Sequence, residues 1–305
     1  MRLVTFRFEG EDRLGALQSG PDGETVVDLQ RSEPRLPAGM LDFLRAGAQG
    51  RALAEAVLRS APTAASALAA PAAAASPAAR LPLSQVVLRA PVPVPGKILC
   101  IGRNYAEHAA EGNAPLPTSP VVFAKYSNVV IGPGEAIVLP KISQQVDYEG
   151  ELAVVIGLPT RHVAEAEALH YVAGYTVFND VSARDLQFLT SQWTLGKSPD
   201  TFGPMGPALV TADEIPDPQT LSVRTSIGGE MLQNGNTRDM IFPIAYLVSY
   251  LSHILTLEPG DVIATGTPSG VGHYRKPPRF LRPGEVVRVE VERVGVLENP
   301  VTAET

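Results

Sequence analysis

The sequence predicts a mixed α+β, β-rich fold, with a small N-terminal β-rich module over residues 1–90 and a larger domain over residues 91–305. Three observations carry this. The first 35 residues alternate apolar and polar side chains between turn signals, and from Lys97 onward short apolar runs alternate with loops rich in Gly and Pro. In that second part only two stretches have convincing helical spacing.

In chain order, LVTFRF, LGALQS and TVVDL read as strands, with a turn at PDGE. Residues 40–58 have helical spacing and predict a helix. The Ala-rich stretch after them is interrupted by Pro62, Pro71 and Pro77 and has little to anchor in a core, so it reads as a linker. KILCIG, PVVFAK, AIVLP, ELAVVIG, VAGYTVF, ALVT, VRTSI, DVIAT and EVVRVEVERV follow as strands, and AEAEALHYV and PIAYLVSYLSHILTL as helices. The expected product is a mostly antiparallel or mixed sheet folded on itself.

Composition narrows the function. Lys and Arg number 25 against 32 Asp and Glu, a formal charge of −7, which argues against a phosphate-backbone binder and so against a nucleic-acid partner. The single cysteine, Cys100, allows no internal disulfide and no cysteine-built zinc site, which suits a reducing compartment. No run of about 18 apolar residues predicts a membrane helix, and MRLVTFRFEG reads as a strand rather than a signal peptide. A cytoplasmic location without a membrane partner is the expectation. GTPSGVG, at 266–272, lacks the phosphate-loop pattern, so that reading is rejected.

Four segments carry ionisable groups suited to chemistry. In VDYEGELAVVIG, Asp147, Glu149 and Glu151 fall at i, i+2 and i+4 of an expected strand and so share one face, where their crowding calls for a cation, a basic side chain or solvent. In GYTVFNDVSARDLQ, Asp180 emerges from an apolar strand and can join them; hard oxygen donors without cysteine favour Mg²⁺, Mn²⁺ or Ca²⁺. Each has a plain alternative, a solvated strand end for the first and a turn cap for Asp180. His108 and Glu111, three apart in RNYAEHAAEGN, share a helical face, the arrangement of an oriented general base, though surface His–Glu pairs are common. Lys197, in WTLGKSPDTFGP, can neutralise an anionic substrate or simply face solvent.

Taken together, GRNYAEHAAE, PVVFAK, IGPGEAIVLP, DYEGELAVVIG, NDVSARDLQ, QWTLGKSPDTFGPMGPAL, NGNTRDMIF, LEPGDVIATGTPSGVG and RKPPRFLRPGE, in this order, resemble the fumarylacetoacetate hydrolase superfamily from about Lys97 to Val301. The resemblance is greatest to the subgroup of domain-containing protein 2, whose members also carry a small N-terminal module. It implies a mixed β-roll holding one divalent cation, Mg²⁺ or Mn²⁺, in a homodimer. On matching positions the metal ligands would be Glu149, Glu151 and Asp180, with Asp147 outside the set. His108 and Glu111 would handle protons, Lys197 would stabilise negative charge on the substrate, and Arg103, Lys125, Arg184, Gln187, Thr265 and Thr267 would line the pocket. Tyr126 stands after Lys125 where many relatives have proline.

The chemistry implied is that of small 2-oxo carboxylates, dicarboxylic acids among them, reacting through a metal-bound enolate. The activity expected first is oxaloacetate keto–enol tautomerisation. C–C hydrolysis of an acylpyruvate such as fumarylpyruvate comes second and oxaloacetate decarboxylation third, with a non-catalytic small-acid binding protein as the reading from another class. The Pro-rich loop EGNAPLPTSP is expected to close over substrate, and the N-terminal module to serve association or cover the catalytic roll.

Overall fold

The computed structural model describes residues 1–20, 23–60, 80–112 and 115–305; the expected linker at 61–79, the first two residues of the PDGE turn and part of the expected closing loop lie outside these residues. The N-terminal alternation forms the antiparallel strands Arg2–Phe8, Glu11–Gly20 and Gly23–Asp28. Both faces are covered. Leu3, Leu14, Ala16 and Val27 enter the main core, while Val4, Phe6, Leu17 and Val26 form a second small cluster with Ala208.

These strands join the remaining sheet because Arg2–Phe8 pairs with Gly203–Thr211, Leu3 opposite Leu209. The twelve-stranded sheet runs on from Gly203–Thr211 through Val172–Asn179, Gly150–Ile156, Val262–Ala264 and Ile98–Gly102 to Val121–Lys125. A five-stranded sheet, Glu230–Asn236, Ser222–Ile227, Val286–Val291, Gly295–Ala303 and Ile137–Leu139, packs against it. The two approach closely at Gly150, where a Cβ would stand 2.2 Å from Thr225 Oγ1, so a side chain there would push the sheets apart. Sandwiching also explains the unbroken apolar run Leu152–Ala153–Val154–Val155–Ile156, fully buried on both faces. The expected mixed, β-rich fold is the one that forms.

Local differences have local causes. The helix expected over residues 40–58 is two, Met40–Arg45 and Gly47–Ser60, because the chain turns at Gly47 with φ +56°. Phe43 and Leu44 from one, and Ala54 and Val57 from the other, still reach the core. AEAEALHYV tightens into a 3₁₀ helix, Glu165–Tyr171, whereas Ile244–Ile254 is α-helical as expected, starting after Pro243. The strands Glu230–Asn236 and Gly295–Ala303 were not anticipated; their polar residues mask the alternation. Among the described residues no helix is long and apolar enough to cross a membrane.

Candidate active site

The site begins with strand register. Gly150 pairs with Asn179 across the antiparallel strands, so the residues flanking this pair, Glu149 and Glu151 on one strand and Asp180 on the other, meet although about thirty positions separate them. The junction is tied twice, by Asp180 N–H donating to Glu149 O (2.9 Å) and Glu149 N–H donating to Asn179 Oδ1 (3.0 Å). One carboxylate oxygen from each of Glu149, Glu151 and Asp180 lies within 4.8 Å of the others, and all three residues are buried.

Asp147 does not share that face. The strand breaks after Val146–Asp147, and the Asp147 carboxylate turns away to accept the N–H groups of Tyr148 (2.9 Å), Gly272 (2.8 Å) and His273 (2.9 Å). The expectation of three carboxylates on one strand face is therefore corrected. Strict alternation holds only while the ladder is unbroken. Asp147 instead grips Arg184, whose Nε donates to Oδ2 at 2.9 Å.

Three cations surround the triad. Arg184 Nη2 lies 2.6 Å from Glu149 Oε1, and Lys197 Nζ donates to Glu149 Oε2 (2.8 Å) and Asp180 Oδ2 (2.6 Å). Lys125 Nζ donates to Asp180 Oδ1 (2.5 Å) and to Val181 O (3.0 Å). Burial alone would raise the Glu149 carboxyl, but Lys197 and Arg184 hold it below the usual carboxylate range. Burial likewise opposes the Lys197 charge, yet Asp180 and Glu149 outweigh it and raise its pKa, so Lys197 stays an ammonium ion.

Glu151 is different. Its Oε2 accepts Gly266 N–H at 2.9 Å, and among the described residues no Lys or Arg pairs with it. Burial, then the charges of Asp180 and Glu149, push its carboxyl well up. A buried acid without a cation, beside two other carboxylates, is a donor set that fits a hard divalent metal ion.

The helix Ala106–Glu111 stands on the wall of the same cavity. His108 Nδ1 lies 3.3 Å from Glu111 Oε2, and Glu111 Oε1 accepts Gly270 N–H at 2.8 Å. GTPSGVG thus presents its N–H groups to carboxylates: Gly266 to Glu151, Gly270 to Glu111 and Gly272 to Asp147. Lys197 is set in place by the short helix Thr194–Lys197, which packs so tightly on the preceding turn that a Cβ on Gly196 would stand 2.4 Å from Gln187 N.

One cavity takes in the carboxylate triad, His108 and Lys197. Of the residues expected to line it, Arg103, Arg184, Gln187 and Thr267 do, with Gln187 accepting from Arg184 Nη1 and Thr267 Oγ1 donating to Gly150 O. Lys125 and Thr265 are corrected: Lys125 is buried beneath Asp180, and Thr265, fully buried, donates to Leu152 O at 2.7 Å. Both support the floor rather than face the opening. The aromatic wall of Phe123, Phe188, Trp193 and Tyr274 went unnoticed in the sequence; the one tryptophan, next to the Lys197 segment, was its available signal.

Comparison with known proteins agrees with this geometry. Residues 97–302 match the family model for the fumarylacetoacetate hydrolase C-terminal region. The chain is 45% identical over 305 residues to a mitochondrial oxaloacetate tautomerase of Homo sapiens, covering 99% of this chain and 91% of that protein. It is 49% identical over 315 residues to a fumarylacetoacetate hydrolase domain-containing protein 2 homolog of Dictyostelium discoideum, covering 99% and 97%. The solved fumarylacetoacetate hydrolase of Exiguobacterium antarcticum superposes with a TM-score of 0.80 at 35% identity, with both chains covered completely. The chain belongs to the fumarylacetoacetate hydrolase family.

Proposed function

We propose that this chain is a divalent-metal-dependent oxaloacetate keto–enol tautomerase, with Glu149, Glu151 and Asp180 as ligands for Mg²⁺ or Mn²⁺. The observation that supports it best is a cation-poor carboxylate, Glu151, in a buried triad that opens on the same cavity as a His–Glu pair. The name carried by the human relative supports the choice of reaction. When bound, the metal supplies Lewis-acid polarisation of a 2-oxo acid, easing negative charge onto the 2-oxo oxygen.

The chain's own residues do the rest. With Nδ1 turned to Glu111, His108 keeps Nε2 free to exchange a proton, and ketonisation needs one proton taken from the enol oxygen and one delivered to C3. Lys197 has two of its three N–H donors on Glu149 and Asp180, leaving one for developing oxyanion charge, and as a permanent ammonium it is no base. The aromatic wall limits water, which would otherwise compete in an acid-to-carbon proton transfer.

The test is the decay of enol-oxaloacetate ultraviolet absorbance with Mg²⁺, with and without protein; no acceleration over the metal-only control ends this reading. C–C hydrolysis of an acylpyruvate is the second reading, favoured by the full-length match to a hydrolase structure, and is assayed in parallel, as is carbon dioxide release from oxaloacetate. The same proposal takes a homodimer, supported by the exposed apolar side chains Phe188, Leu189 and Leu195, of which Phe188 lines the cavity, and gives residues 1–90 a role in covering or association; light scattering tests the assembly. The human relative's name is mitochondrial, so the cytoplasmic expectation draws no support from it.

A further inference from the structure

Arg184 and Lys197, two of the cations on the cavity wall, are each matched by two protein carboxylates. Arg103 is not. Among the described residues it lines the cavity without a hydrogen bond or ion pair to any of them, its guanidinium held over the Trp193 ring at 5.6 Å. Trp193 is itself fixed, edge-on to Phe123 at 5.4 Å and so close to Gly102 that a Cβ there would stand 2.7 Å from its ring.

The backbone beneath Arg103 is costly. Its φ of +57° is the left-handed region that glycine adopts cheaply, yet a long cationic side chain occupies it. The following residue locks the turn, with Asn104 Nδ2 donating to Phe242 O and Thr265 O and its Oδ1 accepting Phe242 N–H. A strained, stapled backbone therefore presents over Trp193 a guanidinium that no acid among the described residues neutralises.

Charge balance says what should meet it. With every group ionised, as metal ligation requires of the carboxylates, the buried cluster joins Asp147, Glu149, Glu151 and Asp180 to Lys125, Arg184 and Lys197, one negative charge in excess. A divalent cation reverses that to one positive, and the carboxylate of a 2-oxo acid cancels it. Glu111 is occupied by Gly270 N–H and His108. The charge of Arg103 remains, and a second anionic group on the substrate would answer it. We propose that Arg103 is the specificity determinant of this cavity, binding the distal carboxylate of a four-carbon 2-oxo dicarboxylic acid. This rests on the 2-oxo acid reading above.

Malate and lactate share the chelating 2-hydroxy carboxylate and differ in the distal carboxylate, and neither tautomerises, so their binding tests Arg103 without turnover. By calorimetry with Mg²⁺, wild type is expected to prefer malate, and Arg103→Gln to lose at least about tenfold of that preference, with Arg103→Lys retaining part of it. A malate-to-lactate ratio altered less than threefold in Arg103→Gln, with metal uptake intact, overturns the inference. Loss of metal uptake in Arg103→Gln would direct the test to Arg103→Lys, whose partly reduced malate-to-lactate ratio supports the inference and whose unchanged ratio refutes it. Failure of the tautomerase reading shows separately, as absent ketonisation by wild type whichever way the malate ratio falls.

Discussion

Glu149 and Glu151 are two residues apart and both belong to the triad, yet their replacement by glutamine should have opposite consequences for the metal-free protein. Glu149 is shared by Lys197 and Arg184, so Glu149→Gln takes from each buried cation one of its two carboxylate partners, at a cost of about 3–5 kcal/mol. Unfolding entropy of about 2.1 cal/mol/K per residue over the 305 residues gives roughly 0.6 kcal/mol/K, so Tm should fall by about 5–8 °C. Glu151 accepts Gly266 N–H, which the amide oxygen of glutamine can still accept, and its charge is repelled by Asp180 and Glu149. Glu151→Gln should leave the metal-free Tm unchanged or raised. Wild type with Mg²⁺ at a hundred times its Kd should gain about 2.7 kcal/mol, roughly 4 °C, and Glu151→Gln should lose that gain. Differential scanning calorimetry with EDTA and then with Mg²⁺ reads both. A Glu151→Gln variant that melts as early as Glu149→Gln without metal, or that keeps the full Mg²⁺ shift, would refute the placement of the metal and the account of which acid lacks a cation.

His108→Ala should keep the Mg²⁺ shift in Tm and lower ketonisation by about 10²–10⁴-fold; an undiminished rate would transfer the proton step to another group. Asp147→Asn should destabilise by about 3–5 kcal/mol in denaturant titration, because it strips Arg184 of a buried charge partner, and a change below 1 kcal/mol would show that Glu149 alone suffices. His273, between Phe188 at 5.3 Å and Tyr274 at 4.9 Å, is held below its usual pKa by burial and then by Arg184. A histidine depressed in the fold binds its proton more readily when unfolded, so stability falls as pH drops below the unfolded value of about 6.5. His273→Phe should flatten the profile between pH 6.5 and 5, and an unaltered slope there would assign the acid lability elsewhere.

Much of the site was legible from residue type and local spacing. His108 and Glu111 are one helical turn apart, so their meeting needs only a helix, and an apolar strand ending in Asn179–Asp180 announces a carboxylate at a core boundary. Asp147 misled because its spacing from Glu149 and Glu151 is that of one strand face, while the ladder breaks between them. Lys125 and Thr265 sit in the right segments, but whether a side chain faces an opening or lies beneath it depends on which neighbouring strand covers it.

By itself the sequence determined most of the strands, most of the helical stretches and the supply of acids, because side-chain periodicity and turn chemistry act over a few residues. Only the tertiary structure decided that Gly150 pairs with Asn179, which puts Asp180 against Glu149; that Lys125, Arg184 and Lys197 go to these acids while Glu151 has no cation among the described residues; and that Arg103, unpaired among them, stands on Trp193. The physical reason is range. Register and charge pairing join residues far apart in the chain, and buried charges take the partners that the packed strands bring within reach.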